Sequence, residues 1–255
     1  MLGSIIIIAV LGLLGVLLHR RTRLEERVLK HIPLSEWLTV LLFPLGFYVC
    51  WVISVRNIIS RPLIPLIPLD DFDILAITIV FMVYAFVGNG IHFTGKILWR
   101  YLSRDAQSMA YKINEMFHGK LSHYIIYFDG LIVFFLLPIL EINHPLVTPL
   151  PLTYIVMIIL AGAVLGVSAT KSIFYINEWF GGYNKPLFFI SLILLSSLVA
   201  ISKTLQLEYD YYPMKLFMTA SFASMIASFI VRQVLIYTRL NKKARLRFLV
   251  KILSA

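Results

Sequence analysis

Seven long apolar runs separated by short polar connectors set the pattern of this chain, covering residues 2–18, 37–55, 74–95, 124–140, 149–170, 186–202 and 216–237. About 20 apolar residues in an α-helix cross a hydrocarbon core of about 30 Å, because a helix satisfies its backbone groups internally. The pattern predicts an all-α, polytopic transmembrane bundle of about seven helices, folded as a single domain over 1–255. The first three runs contain no Asp, Glu, Lys or Arg, whereas the fourth contains Asp129 and the seventh carries Arg232 near its end.

The connectors alternate between rich and poor in basic residues. Nineteen of the 23 Lys and Arg residues fall on one side of the predicted bundle, and only Arg56, Arg61, Lys203 and Lys215 on the other. The positive-inside rule then places the N-terminus outside and the basic tail 238–255 in the cytoplasm, in a cell-membrane protein. The first run reads as an anchor, not a cleavable signal peptide, because positive charge follows it and no small-residue cleavage site is evident.

Composition agrees: 60% of residues are hydrophobic, 14% are charged and the mean hydropathy is +0.87. The net charge of +10 is accounted for by this topology. Nucleic-acid binding would need basic residues on one folded face together with base-contacting chemistry. Anionic lipid headgroups are the expected partner of the basic tail. Cys50 is the only cysteine, which excludes an intrachain disulfide or a CxxC site.

Between helices in lipid, small residues permit close backbone approach. Gly162 and Gly166 form a GxxxG pair in the fifth run, and Ala220, Ser224 and Ser228 recur every four residues in the seventh. Both stripes are expected to pack within the bundle. Pro62, Pro65 and Pro68 recur at the polyproline II period, and with Pro145, Pro149 and Pro151 they predict stiff caps over the outer face. Trp99, Leu102, Ala106, Met109, Ile113 and Met116 form an apolar stripe that predicts an interfacial amphipathic helix over 99–117.

One heptapeptide pattern, INExFxG, occurs twice, at 113–119 and 176–182. Both copies fall in cytoplasmic connectors, which suggests two parallel two-helix repeats. Asn114, Glu115, Asn177 and Glu178 are expected to cap or bridge these loops, with Gly119 and Gly182 ending a helix in the left-handed conformation. Ser122 and Asn184 are expected to cap the segments that follow, with Pro186 in the first turn of the sixth.

Only the first copy carries a histidine at its sixth position, His118, and His123 follows. Glu115 and His118 have the Glu-x-x-His spacing by which a helix presents two ligands to one metal. His92, flanked by Asn89 and Lys96 at helical spacing, makes a further candidate ligand. His92, Glu115, His118 and His123 are thus a candidate transition-metal or proton site, on the side where five of the six histidines fall. Asp129 is costly in a bilayer and should face the bundle interior, with Asn89 the other candidate polar group inside the membrane.

No HExxH, GxSxG, Walker A or GxGxxG motif is present. Three functions fit. The first is a non-catalytic subunit or scaffold that binds other membrane chains through its cytoplasmic face. The second is a metal-dependent membrane enzyme acting on a lipid at the cytoplasmic interface. The third is a small ion-coupled carrier using Asp129.

Overall fold

A computed structural model describes residues 1–18, 24, 26–29, 32–173 and 184–253. After α1 (Leu2–Leu18), a two-residue antiparallel ladder pairs β1 (Val28–Leu29) with β2 (Ile32–Pro33). Next, α2 (Leu34–Trp37) continues through a π-helical turn (Leu38–Leu42) into α3 (Phe43–Ile59). The long α4 (Asp71–Leu102) ends in a 3-10 turn, Ser103–Asp105. Helix α5 (Met109–Glu115) continues through a second π-helical turn (Met116–Leu121) into α6 (Ser122–Ile142). The chain finishes with α7 (Leu152–Ile173), α8 (Asn184–Thr204), α9 (Pro213–Arg239) and α10 (Lys242–Leu253).

Among the described residues, five helical stretches are long and apolar enough to cross a membrane: Asp71–Asp105, Met109–Ile142, Leu152–Ile173, Lys185–Thr204 and Pro213–Arg239. Helices α1 and α3 are shorter apolar helices of 17 residues each. Three local expectations are corrected. The stripe over 99–117 is not one helix, because Ser108 starts a new one by accepting a hydrogen bond from the Tyr111 amide at 3.2 Å. Nor does Gly119 end a helix, since the π-helical turn carries the chain straight through it. Ser122 accordingly has helical dihedral angles, and its hydroxyl donates back to the His118 carbonyl at 2.5 Å instead of capping. Pro186 does sit in the first turn of α8.

Close approach of α7 and α9 depends on the absence of side chains. A Cβ at Gly162 would lie 2.6 Å from the Phe217 carbonyl oxygen and 2.8 Å from the Ala220 Cβ. At Gly166 it would collide with the Ser221 carbonyl and the Ser224 hydroxyl. Backbones this near can share side-chain donors: Thr170 Oγ1 lies 2.9 Å from the Met225 carbonyl oxygen, and Ser224 Oγ lies 3.4 Å from that of Ala163. The hydroxyl of Ser228 is spent within its own helix, on the Ser224 carbonyl at 2.6 Å. Helix α1 packs by the same device, with Ser54 donating to Ser4 at 3.0 Å beside the fully buried Ile5 and Ile8.

The loops at the proline-rich end converge on three polar residues at the end of α6. The first four amides of a helix lack partners within it, and Tyr212, at the N-cap of α9, supplies no side-chain bond. Glu141, fully buried, fills that role from another helix: its Oε2 accepts from the amides of Met214 at 2.8 Å and Lys215 at 2.9 Å. Its Oε1 pairs with Arg61 at 2.9 Å. Asn143 fastens the first proline loop, accepting from the Leu66 and Ile67 amides at 2.9 and 3.0 Å and donating to the Leu69 carbonyl at 2.9 Å. His144 Nε2 lies 2.9 Å from Asp71 at the start of α4. This end, expected to hold only proline caps, is a polar interlock.

Removing one member of a buried ion pair strands the other's charge and costs about 3–5 kcal/mol, whereas neutralising both costs far less. Arg61→Met and Glu141→Gln should each lower the midpoint of thermal unfolding in detergent. The double variant should fall by less than the sum of the two. Strict additivity would show that the pair is not coupled.

Candidate functional site

Helix α4 is buried along one narrow stripe, Ile74, Thr78, Gly88, His92 and Gly95, which recurs at helical spacing and faces α6. Two glycines in that stripe set the distance. At Gly88 a Cβ would lie 2.9 Å from a methyl group of Ile125, and at Gly95 it would lie 2.6 Å from the His118 Cβ. His92 therefore sits between two points where the partner helix comes as close as sterics permit. Asn114 secures the junction, donating to the Gly95 carbonyl at 2.9 Å. Its partner in the heptapeptide, Glu115, points a half-exposed carboxylate that stops 3.9 Å from His118 Nδ1.

The π-helical turn decides which side chains of the other strand of this site can meet. Residues five apart on a regular α-helix, such as His118 and His123, point about 140° apart. A π turn bonds residue i to i+5, so five-apart positions fall nearly in line, and such turns recur at functional sites. Three imidazoles converge as a result. Ring centroids are 4.8 Å apart for His92 and His118, 4.6 Å for His92 and His123, and 6.0 Å for His118 and His123.

Imidazoles bound to one tetrahedral metal at about 2.0–2.1 Å have centroids about 5 Å apart. The separations of His92 from His118 and from His123, 4.8 and 4.6 Å, lie near that spacing, and that of His118 from His123, 6.0 Å, is wider. Their nitrogens do not yet share a focus: among the described residues, no group of three or more His, Cys, Asp or Glu is arranged to hold one ion. Other details suit ligation. Both ring nitrogens of His118 are buried, and among the described residues neither makes a hydrogen bond. The Nδ1 of His123 lies 3.1 Å from the Gly119 carbonyl oxygen. The His123 ring stacks on Tyr127, with centroids 5.8 Å apart, and the Tyr127 hydroxyl donates to the Ser172 carbonyl on α7 at 3.1 Å.

His92 and His123 open onto a cavity of about 380 Å³ within the bundle, bounded by α1, α3, α4, α6, α7 and α9. His92, His123, Asn89, Tyr127 and Lys171 cluster at one end, and the remaining wall is mostly apolar, with Phe43, Phe47, Phe134 and Phe222. Beside it, Lys96 forms an ion pair with the buried Glu36 of α2.

Asp129 is buried, but it does not line this cavity, and among the described residues its side chain forms no hydrogen bond or ion pair. The second INExFxG copy, with Asn177 and Glu178, lies outside the described residues, as do His19 and His31. Sequence reasoning missed Tyr127, Lys171 and Ser172 as wall residues, because a tyrosine or lysine near a helix end is common. It also missed Glu141, Asn143 and His144, although three polar residues within four positions closing an apolar run were a visible signal. In comparisons with known proteins, no family model, no curated protein and no solved structure matches the chain.

Proposed function

We propose that this chain is a seven-pass protein of the cell membrane, with its N-terminus outside and its tail in the cytoplasm. In this reading it is a metal-dependent enzyme that acts on a lipid at the cytoplasmic interface. The observation that carries the proposal is the meeting of His92, His118 and His123, two of which, His92 and His123, line a cavity between the helices. Three imidazoles crowded together are costly as mere packing, because His92 is buried and both ring nitrogens of His118 are buried without a hydrogen bond among the described residues. A metal site here would require the rings to turn about their side-chain bonds until their nitrogens share a focus, with Glu115, 3.9 Å from His118, as the nearest carboxylate.

A transition metal held there would serve as a Lewis acid toward a carbonyl or phosphoryl oxygen, or would activate water for hydrolysis. Lys171 adds positive charge beside the site. Asp129, on which a carrier function would rest, is not among the residues that line this cavity. The basic helix α10 fits the anionic headgroups of the same leaflet. Arg245 ties its start to α9, with Nη2 donating to the Thr238 carbonyl at 2.7 Å.

Protein purified without chelators should contain about one transition-metal ion per chain by elemental analysis, as a single site of this kind requires. His92→Ala and His118→Ala should each lose most of it. Gly95→Val should do the same by pushing His118 away, without touching a ligand. A metal-free wild-type preparation would sink the enzyme reading.

Orientation is checked separately. An N-terminal tag should react with impermeant reagents on intact cells, and a tag after Ala255 should react only after permeabilisation. In nanodiscs rich in anionic lipid, the tail should resist trypsin, and the protection should fade with salt as charges are screened.

A further inference from the structure

From the shape and polarity of the histidine cavity we infer that its ligand is a single-chain amphiphile with an anionic head, seated with its tail inside the bundle. The inference deepens the enzyme reading by naming the substrate class of the same site. Volume selects the number of chains. At about 30 Å³ for a water-sized unit, comparable to a methylene, the cavity of about 380 Å³ holds about a dozen such groups. That is the scale of one medium-length chain.

Polarity selects the orientation. The polar wall groups gather at the end where α4, α6 and α7 meet, whereas Leu11, Phe47, Phe134 and Met218 line the remainder. A tail bound the other way would place methylenes against His92, His123 and Lys171 and leave the head among phenyl rings. Charge selects the head. The lining includes Lys171 and two histidines and contains no Asp or Glu. Lys171 is exposed, so its ammonium meets a head at the mouth of the cavity without desolvation of a buried lysine. A carboxylate or a phosphate monoester provides the anion, the first in a free fatty acid and the second in a lysophospholipid.

Two glycines make a direct test feasible. Gly15 of α1 and Gly130 of α6 both line the cavity, and a Cβ built at either has no heavy atom within 4 Å. A larger side chain at these positions occupies the chain's volume without striking the backbone, and glycine is the weaker helix former in any case.

The full-length protein in nanodiscs is photolabelled with diazirine-bearing dodecanoic acid, dodecyl lysophosphatidic acid, dodecanol and two-chain phosphatidic acid. The two single-chain anions should label cavity residues of α6 and α7. A preference between them identifies the head. Gly15→Leu and Gly130→Leu should each reduce that labelling about tenfold, the effect of a clash built against the ligand. Both variants should retain the wild-type metal content and thermal midpoint. Lys171→Gln should weaken labelling by the two anions and leave dodecanol unaffected.

Equal labelling of the cavity by two-chain phosphatidic acid, or labelling indifferent to both leucine variants in folded protein, would overturn the inference. Metal retained with indifferent labelling removes the ligand assignment alone. Chain labelling that persists in a protein shown to hold no metal removes the enzyme reading and keeps the cavity as a lipid site.

Discussion

A buried carboxylate at the end of α6 is the constraint on which the loop-capped half of this bundle depends. Glu141 has no access to solvent, so each of its oxygens must be answered from within. One oxygen is held by Arg61 from the loop after α3, and the other by two amides at the start of α9. The helix start needs the carboxylate as much as the carboxylate needs the helix. Its own cap residue, Tyr212, offers nothing, and the positive end of the helix dipole favours an anion there. One side chain thereby joins three elements far apart in sequence. Asn143 and His144, the next polar positions, extend the joint to the proline loop and to α4.

With that end locked, the opposite end is positioned by close packing. Gly88 and Gly95 let α6 and its preceding turn press against α4, and Gly162 and Gly166 do the same for α7 against α9. Between these contacts the helices leave a cavity where aromatic and aliphatic walls meet without filling the space. The histidines lie where the packing is tightest on one side and the cavity opens on the other. The backbone beneath the histidines is thus fixed by close packing at Gly88 and Gly95.

Several parts of this arrangement were legible residue by residue. Apolar runs marked the long helices because burial and length are local properties of composition. The residues His92, His118 and His123 were legible as one group, since helical spacing and a shared connector placed them at one depth. Their convergence was not. His118 and His123 lie five apart, a separation that an α-helix scatters, and only the π-helical turn brings them into line. The Glu-x-x-His pair suggested a ligand couple, yet Glu115 faces partly outward while the true neighbours of His118 are the other two imidazoles. Gly119 looked like a helix terminator because glycine tolerates left-handed angles. It serves instead inside a continuous helix, where the wide turn has no use for a side chain.

The sequence by itself determined a helical, apolar chain with polar chemistry gathered in a few connectors, because hydrophobic run length and charge distribution act over single helices. Only the tertiary structure decided that Glu141 caps a helix 72 residues away, that three histidines meet, and that a cavity opens beside them. Those outcomes depend on distances between helices, and such distances follow from missing Cβ atoms and a local change of helical pitch. The glycines are visible in the chain, at Gly162 and Gly166 even as a spaced pair, but the helix each one meets is not, and the change of pitch leaves no periodic trace.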